Sequence, residues 1–116
     1  MELSFSERDG ITTVAIAGRI TFATLEPGHD PLTSQIADIY ARRVLFDLSG
    51  TEYLDSTGVS WILTCNKKCR EAGGALVLHS INPLVKQVLG VLKLDRVLRM
   101  ADNAEKARAE LKEVTA

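Results

Sequence analysis

The stretch FDLSGTEYLDSTGVSWIL, from Phe46 to Leu63, decides how this chain is read. Its first residues complete an apolar run, VLFDL (44–48), with too few polar positions to alternate. Such a run suits a strand covered on both faces, as in a parallel sheet under helices. Gly50 ends it and a polar loop follows. From there Val59, Ile62, Cys65 and Cys69 recur at helical spacing, with Lys67, Lys68 and Arg70 outward. Ser56 therefore stands where a strand hands over to a helix. It can cap the helix, attack a substrate or accept a phosphate.

Working toward the N-terminus, Leu3 and Phe5, then Ile11, Val14 and Ile16, form two strand-like runs around Arg8-Asp9-Gly10. Asp-Gly tolerates positive φ at both positions, so a tight hairpin is predicted, with Gly18 closing its second strand. TFATLEPGHDP (21–31) reads as a loop. Pro31 suits the first turn of a helix capped near Asp30, and Leu32, Ile36, Ile39 and Tyr40 fall on one helical face.

Toward the C-terminus, the helix from Ser56 is expected to stop at Gly73-Gly74, where positive φ is free of steric cost. ALVLH (75–79) is a second buried strand, and Pro83 opens a helix with Val85, Val88, Leu89 and Leu92 inward. RVLRM (96–100) reads as a short last strand. A terminal helix follows, carrying Ala104, Ala107, Leu111 and Val114, with Asp102 as its cap. The whole is one α/β domain over residues 1–116: a hairpin over 1–20, then an alternating β/α core over 44–114. A mixed, mostly parallel sheet of about five strands with about four helices is expected.

Composition narrows the function. The 116 residues suffice for one core, and a formal net charge of −1 gives no basic field for nucleic acid. No apolar run approaches the roughly 20 residues that cross a bilayer, and Met1-Glu2-Leu3-Ser4 lacks the regions of a signal peptide. A cytosolic protein is expected, with no direct contact to nucleic acid or membrane. Cys65 and Cys69 share a stripe with Ile62 and read as small buried apolar residues. His29 and His79 have no finger-like spacing with them, so no metal site is expected.

Loops leaving the carboxyl ends of parallel strands gather on one edge, which places Asp47, Asp55, Ser56 and His79 within reach of one another. A cap role for Ser56 fits residue preferences, with Asp55 reinforcing it through the helix dipole. A hydrolase would use Ser56, His79 and Asp47 as nucleophile, base and orienter. Leu54, however, stands where the nucleophile elbow needs glycine, so no catalytic residue is assigned. A phosphoaspartate receiver needs clustered carboxylates after the first strand, where Gly18-Arg19 stands, and no phosphate-binding Gly-x-x-x-x-Gly-Lys occurs. A phosphoacceptor serine fits better, because a helix N-terminus stabilises an added phosphate.

At this point the residues carry a resemblance. VLFDLSGTEYLDSTGVSWIL, followed by GGALVLHSINPLVKQVLGVLKLDRVLRMADNAEKA, resembles the STAS domain of bacterial anti-sigma factor antagonists. The match runs from Val44 to about Ala107, and more loosely over the hairpin ending VAIAGRI. The resemblance implies that Ser56 is the phosphorylatable serine. It further implies partner switching: the unphosphorylated chain binds an anti-sigma factor serine kinase of the GHKL type and frees a sigma factor. Phosphorylation ends binding, and a PP2C-type phosphatase restores it. ATP and Mg²⁺ would belong to the kinase, so the chain itself is expected to need no cofactor. The implied partner-binding residues are Thr21, in the segment after Gly18, with Asp55, Ser56, Thr57 and Gly58, and self-association is left open. Thr21 departs from the family, which often carries an aspartate there, and the 21–31 loop is longer than usual. A STAS scaffold in a stress-signalling complex, or a transporter subunit without a phospho-switch, stays open for that reason.

Overall fold

In the computed structural model, which describes residues 1–114, a six-stranded mixed sheet forms the middle layer. Strands β1 (Glu2–Arg8) and β2 (Ile11–Ile20) make the hairpin, with Leu3 opposite Ile16 and Phe5 opposite Val14. Both turn residues have positive φ, Asp9 at 55° and Gly10 at 76°, as the Asp-Gly pair led us to expect. Strand β3 (Arg43–Asp47) pairs parallel to the first half of β2, and β5 (Ala75–His79) then β6 (Arg99–Ala101) continue outward.

The sixth strand is a correction. Residues Thr51–Leu54, read as a polar loop, form β4, which pairs parallel with the second half of β2. The step occurs at a register shift between Gly18 and Arg19, where Gly18 adopts φ 92° and its N–H reaches the Gly50 carbonyl at 2.8 Å. Gly18 thus lies inside β2 and does not close it. Thr51 Oγ1 donates to the Ile16 carbonyl at 2.7 Å, which holds the step from β3 into β4. A four-residue strand containing Glu52 leaves too short a pattern to read; its pairing is decided by the bulge.

Alternation along the strands splits the core between two faces. Val14, Ile16, Val44, Phe46, Leu76 and Leu78 point to one face, buried under α1 (Ser56–Ala72) and α2 (Pro83–Val91). Ile11, Leu45, Ala75 and Val77 point to the other, covered by Ala107 and Leu111 of α3 (Ala104–Val114). Among the described residues, three α-helices and two 3-10 segments stand where about four helices were expected. Helix α1 ends as expected, on Gly73 at φ 86°. The cap of α3 is Asn103 in place of Asp102: its Oδ1 accepts from Lys106 N at 2.9 Å, while Asp102 pairs with the Lys106 ammonium at 3.3 Å. Leu92 is 54% exposed, past the end of α2, and the last strand begins at Arg99 because residues 94–96 form a 3-10 turn.

The helix expected over 31–40 does not form; turns lead into a 3-10 segment at Ile39–Ala41. The Ser34 hydroxyl donates to the Pro31 carbonyl at 3.1 Å, and such local bonds compete with helix propagation. Leu32 and Ile39 are still fully buried, so the apolar spacing identified the inward side chains but not the backbone. Asp30 holds this segment in place. Its Oδ1 accepts from Leu32 N at 2.9 Å and Thr33 N at 3.3 Å, and its Oδ2 from Tyr40 Oη at 2.8 Å and Lys68 Nζ at 3.0 Å. Burial works to raise its pKa, but the bonds from Tyr40, Lys68 and the two amides outweigh that and lower it.

Replacing Asp30 with Ala leaves the half-buried Tyr40 hydroxyl with only the Cys65 sulfur, at 3.8 Å, as a partner and removes the tie from Lys68 to the 21–42 segment. A loss of about 1–3 kcal/mol is expected, read as a lower urea midpoint at pH 7. Because the folded pKa is depressed, this contribution is present above the unfolded carboxylate pKa. It disappears as pH falls through the folded value, so wild type and variant should converge only in acid.

Candidate partner-binding site at the start of helix α1

Helix α1 begins with a division of labour between neighbouring residues. Asp55, not Ser56, is the N-cap: in extended conformation, it accepts from Gly58 N through Oδ1 at 2.8 Å. Its other oxygen, Oδ2, accepts from Phe22 N at 2.9 Å, and its own N–H reaches the Ile20 carbonyl at 3.4 Å. One carboxylate therefore ties the turn after β2 to the first turn of α1. These two amide bonds, Phe22 first and Gly58 second, hold the Asp55 pKa below its ordinary value.

Ser56 is then the first helical residue, exposed, and its hydroxyl makes no hydrogen bond among the described residues. Thr57 is half-buried and Gly58 fully buried. A Cβ at Gly58 would collide with the Ile20 carbonyl oxygen, so glycine is what lets α1 lie this close to β2. Thr21 is only 8% exposed. It anchors a turn: its N–H donates to Thr24 Oγ1 at 2.9 Å, and its carbonyl accepts from Thr24 N and Leu25 N. The Thr24 hydroxyl in turn donates to the Arg19 carbonyl at 2.8 Å.

Beside Thr21, Phe22 is 73% exposed, and sequence reasoning missed it. An aromatic residue inside a Pro- and Gly-rich polar loop has no core to enter, and that was the available signal. Tyr53 on β4 is 38% exposed, with the Arg19 guanidinium 4.9 Å above its ring. Phe22, Ser56 and Tyr53 thus lie on the elements that Asp55 and the β2–β4 pairing draw together, with Glu52 exposed alongside.

Asp47 and His79 do not join this group. They are register partners on β3 and β5 whose side chains share the α3 face, whereas α1 covers the opposite face. Strand parity separates them from Ser56, so the expected cluster of all four residues is not formed. His79 is 3% exposed with Nδ1 2.8 Å from Ser80 Oγ, and burial lowers its pKa, Arg108 adding to the effect and Asp47 opposing it. Cys65 and Cys69 are each 1% exposed, and burial pushes their thiols up to about 12 and about 11. That fits the small apolar role read from their spacing.

A family model for the STAS domain matches residues 2–107. The chain belongs to the STAS domain family. It is 30% identical over 112 residues to BtrV of Bordetella bronchiseptica, a provisionally assigned anti-sigma factor antagonist, covering 97% of this chain and 96% of that protein. It is 22% identical over 115 residues to an anti-sigma F factor antagonist of Paenibacillus polymyxa, covering 99% and 98%. The solution structure of TM1081, a Thermotoga maritima protein, superposes with a TM-score of 0.80 at 20% identity, over 97% of this chain and 90% of that one. Unphosphorylated SpoIIAA, an anti-sigma factor antagonist, gives 0.71 at 14% identity over 97% of each chain. At such identities the structural matches establish the STAS fold. The relatives at the sequence level carry the name of anti-sigma factor antagonist.

Two substitutions separate the roles at this helix start. Gly58→Ala is expected to cost about 1–3 kcal/mol by forcing α1 away from β2, visible in urea denaturation. Asp55→Asn should lower the thermal midpoint at pH 7 and flatten the acid limb of the stability curve. The depressed Asp55 pKa means its contribution is present above the unfolded carboxylate value and lost as pH falls through the folded one.

Proposed function

We propose that this STAS chain is an anti-sigma factor antagonist working by partner switching, with Ser56 as its phosphorylation site. The supporting observation is that Asp55 does the capping, which leaves the Ser56 hydroxyl exposed and unbonded at a helix N-terminus. A kinase can reach it without dismantling the fold, and the first-turn amides favour the added phosphate. Unphosphorylated, the chain binds an anti-sigma factor serine kinase of the GHKL type through the start of α1 and the turn at Thr21 and Phe22. Asp55, Thr57 and Gly58 position that surface, and Phe22 supplies an apolar contact. A PP2C-type phosphatase resets the cycle, which runs in the cytoplasm. The chain contributes no catalytic group of its own.

The switch is electrostatic. Phosphorylation adds about −1.5 to −2 charges next to Asp55 and Glu52, and a surface docked against the bare serine must then desolvate a dianion. Thr57 is half-buried and therefore a poorer acceptor than Ser56.

Intact-mass measurement after incubation with the cognate kinase and ATP should show one added phosphate on wild type and on Thr57→Ala, and none on Ser56→Ala. Ser56→Ala should bind the kinase constitutively, whereas Ser56→Asp should bind at least tenfold more weakly, about 1.4 kcal/mol. Phosphorylation of Ser56→Ala at the wild-type level would move the site elsewhere, and equal affinities would discard the charge mechanism.

A further inference from the structure

Six large apolar side chains are exposed among the described residues, and four of them lie between residues 84 and 97: Leu84 at 55%, Val91 at 74%, Leu92 at 54% and Val97 at 51%. Helix α2 accounts for most of this. Val85 and Leu89 form the ridge it buries in the core. Leu84, Val88 and Val91, spaced i, i+4, i+7, form a second ridge alongside, of which Val88 is half-buried against the core while Leu84 and Val91 stand largely in solvent. The apolar stripe of α2 is therefore wider than its packing inside the domain uses. A ridge of this spacing is what a second helix packs against.

The charges at the two ends of α2 differ in sign. At its start, the Asn82 side chain caps Val85 N at 2.8 Å and also donates to the Thr51 carbonyl at 2.6 Å. That bond brings Glu52, an exposed acid with no ion pair among the described residues, to the N-terminal end. At its finish, Lys93 and Arg96 are exposed and equally unpaired, with Asp95 between them offsetting one charge. Lys86 lies off the ridge and faces Asp102 at 4.0 Å.

We infer that this ridge is the contact for a second copy of the same chain, two α2 helices packing antiparallel about a two-fold axis near Val88. In that arrangement Leu84 of one copy meets the Val91 and Leu92 end of the other. Glu52 faces the Lys93 and Arg96 end twice over, once at each side of the axis. The patch then pairs apolar with apolar and acid with base, as an isologous interface requires. Parallel packing would set like charges together at both ends. A two-turn ridge is small beside the roughly 1,200 Å² at the low end of stable interfaces, so the dimer is a weak, concentration-dependent one.

Sedimentation velocity on the full chain, from micromolar to millimolar, tests this. Wild type should pass from monomer to dimer across that range. Leu84→Asp and Val91→Asp should stay monomeric with unchanged circular dichroism, as both side chains are mostly in solvent. Glu52→Lys and Arg96→Glu should each weaken association several-fold, and the double variant should recover most of the loss. A wild type that stays monomeric throughout overturns the inference, as does a dimer that survives Val91→Asp. Binding of the intact ridge to anionic vesicles by a chain that remains monomeric would assign it to a lipid surface and overturn it equally.

Discussion

The carboxylate of Asp55 joins two amides that are far apart in sequence, Phe22 N and Gly58 N. Through it the end of β2, the following turn and the first turn of α1 become one rigid corner. Gly58 makes the corner possible by allowing the helix to touch the Ile20 carbonyl. A larger residue there, or a neutral one at 55, would leave the same elements in place with a loose joint between them. The reading of Ser56 as a switch depends on that joint, because a docking surface made of a loop, a strand end and a helix start needs its parts held in register.

The corner also makes capping compatible with the proposed switch. Had Ser56 been the cap, its hydroxyl would have been committed to a backbone amide and turned inward. Placing the acid one residue earlier satisfies the helix and leaves the hydroxyl free. The acid then lies beside the position where phosphate would be added, so in the proposed cycle the cap would contribute to the repulsion that ends partner binding. Farther along α1, Asp30 binds Lys68 and Tyr40 and fastens the 21–42 segment to the same helix. Two aspartates thus anchor that segment to α1, one at each end.

Much of the architecture was legible because its signals are local. The Asp-Gly turn, the apolar runs at 44–48 and 75–79, the Gly73 stop and the Pro83 start each follow from residue type and short-range spacing. The failures have a common origin. β4 exists because a bulge at Gly18 and Arg19 turns β2 onto a second partner, and nothing within Thr51–Leu54 announces that. The 31–40 segment shows helical spacing of apolar residues because its inward side chains must reach one core. Ser34 and the preceding Pro31 nevertheless hold its backbone in turns.

At the site, the sequence by itself determined which residues stand at the helix start and that one of them is a serine. It determined equally that Cys65 and Cys69 are packing residues, since helical periodicity sets burial. Only the tertiary structure decided that Asp55 is the cap and that Thr21 is covered while Phe22 stands exposed. It alone separated Asp47 and His79 from Ser56, by strand parity across the two faces of the sheet. The physical reason is the range of the interaction. Periodicity and turn preference act over a few residues, whereas the bonds and contacts that define this site join positions 22 and 55, or 20 and 58, which meet only after the sheet has formed.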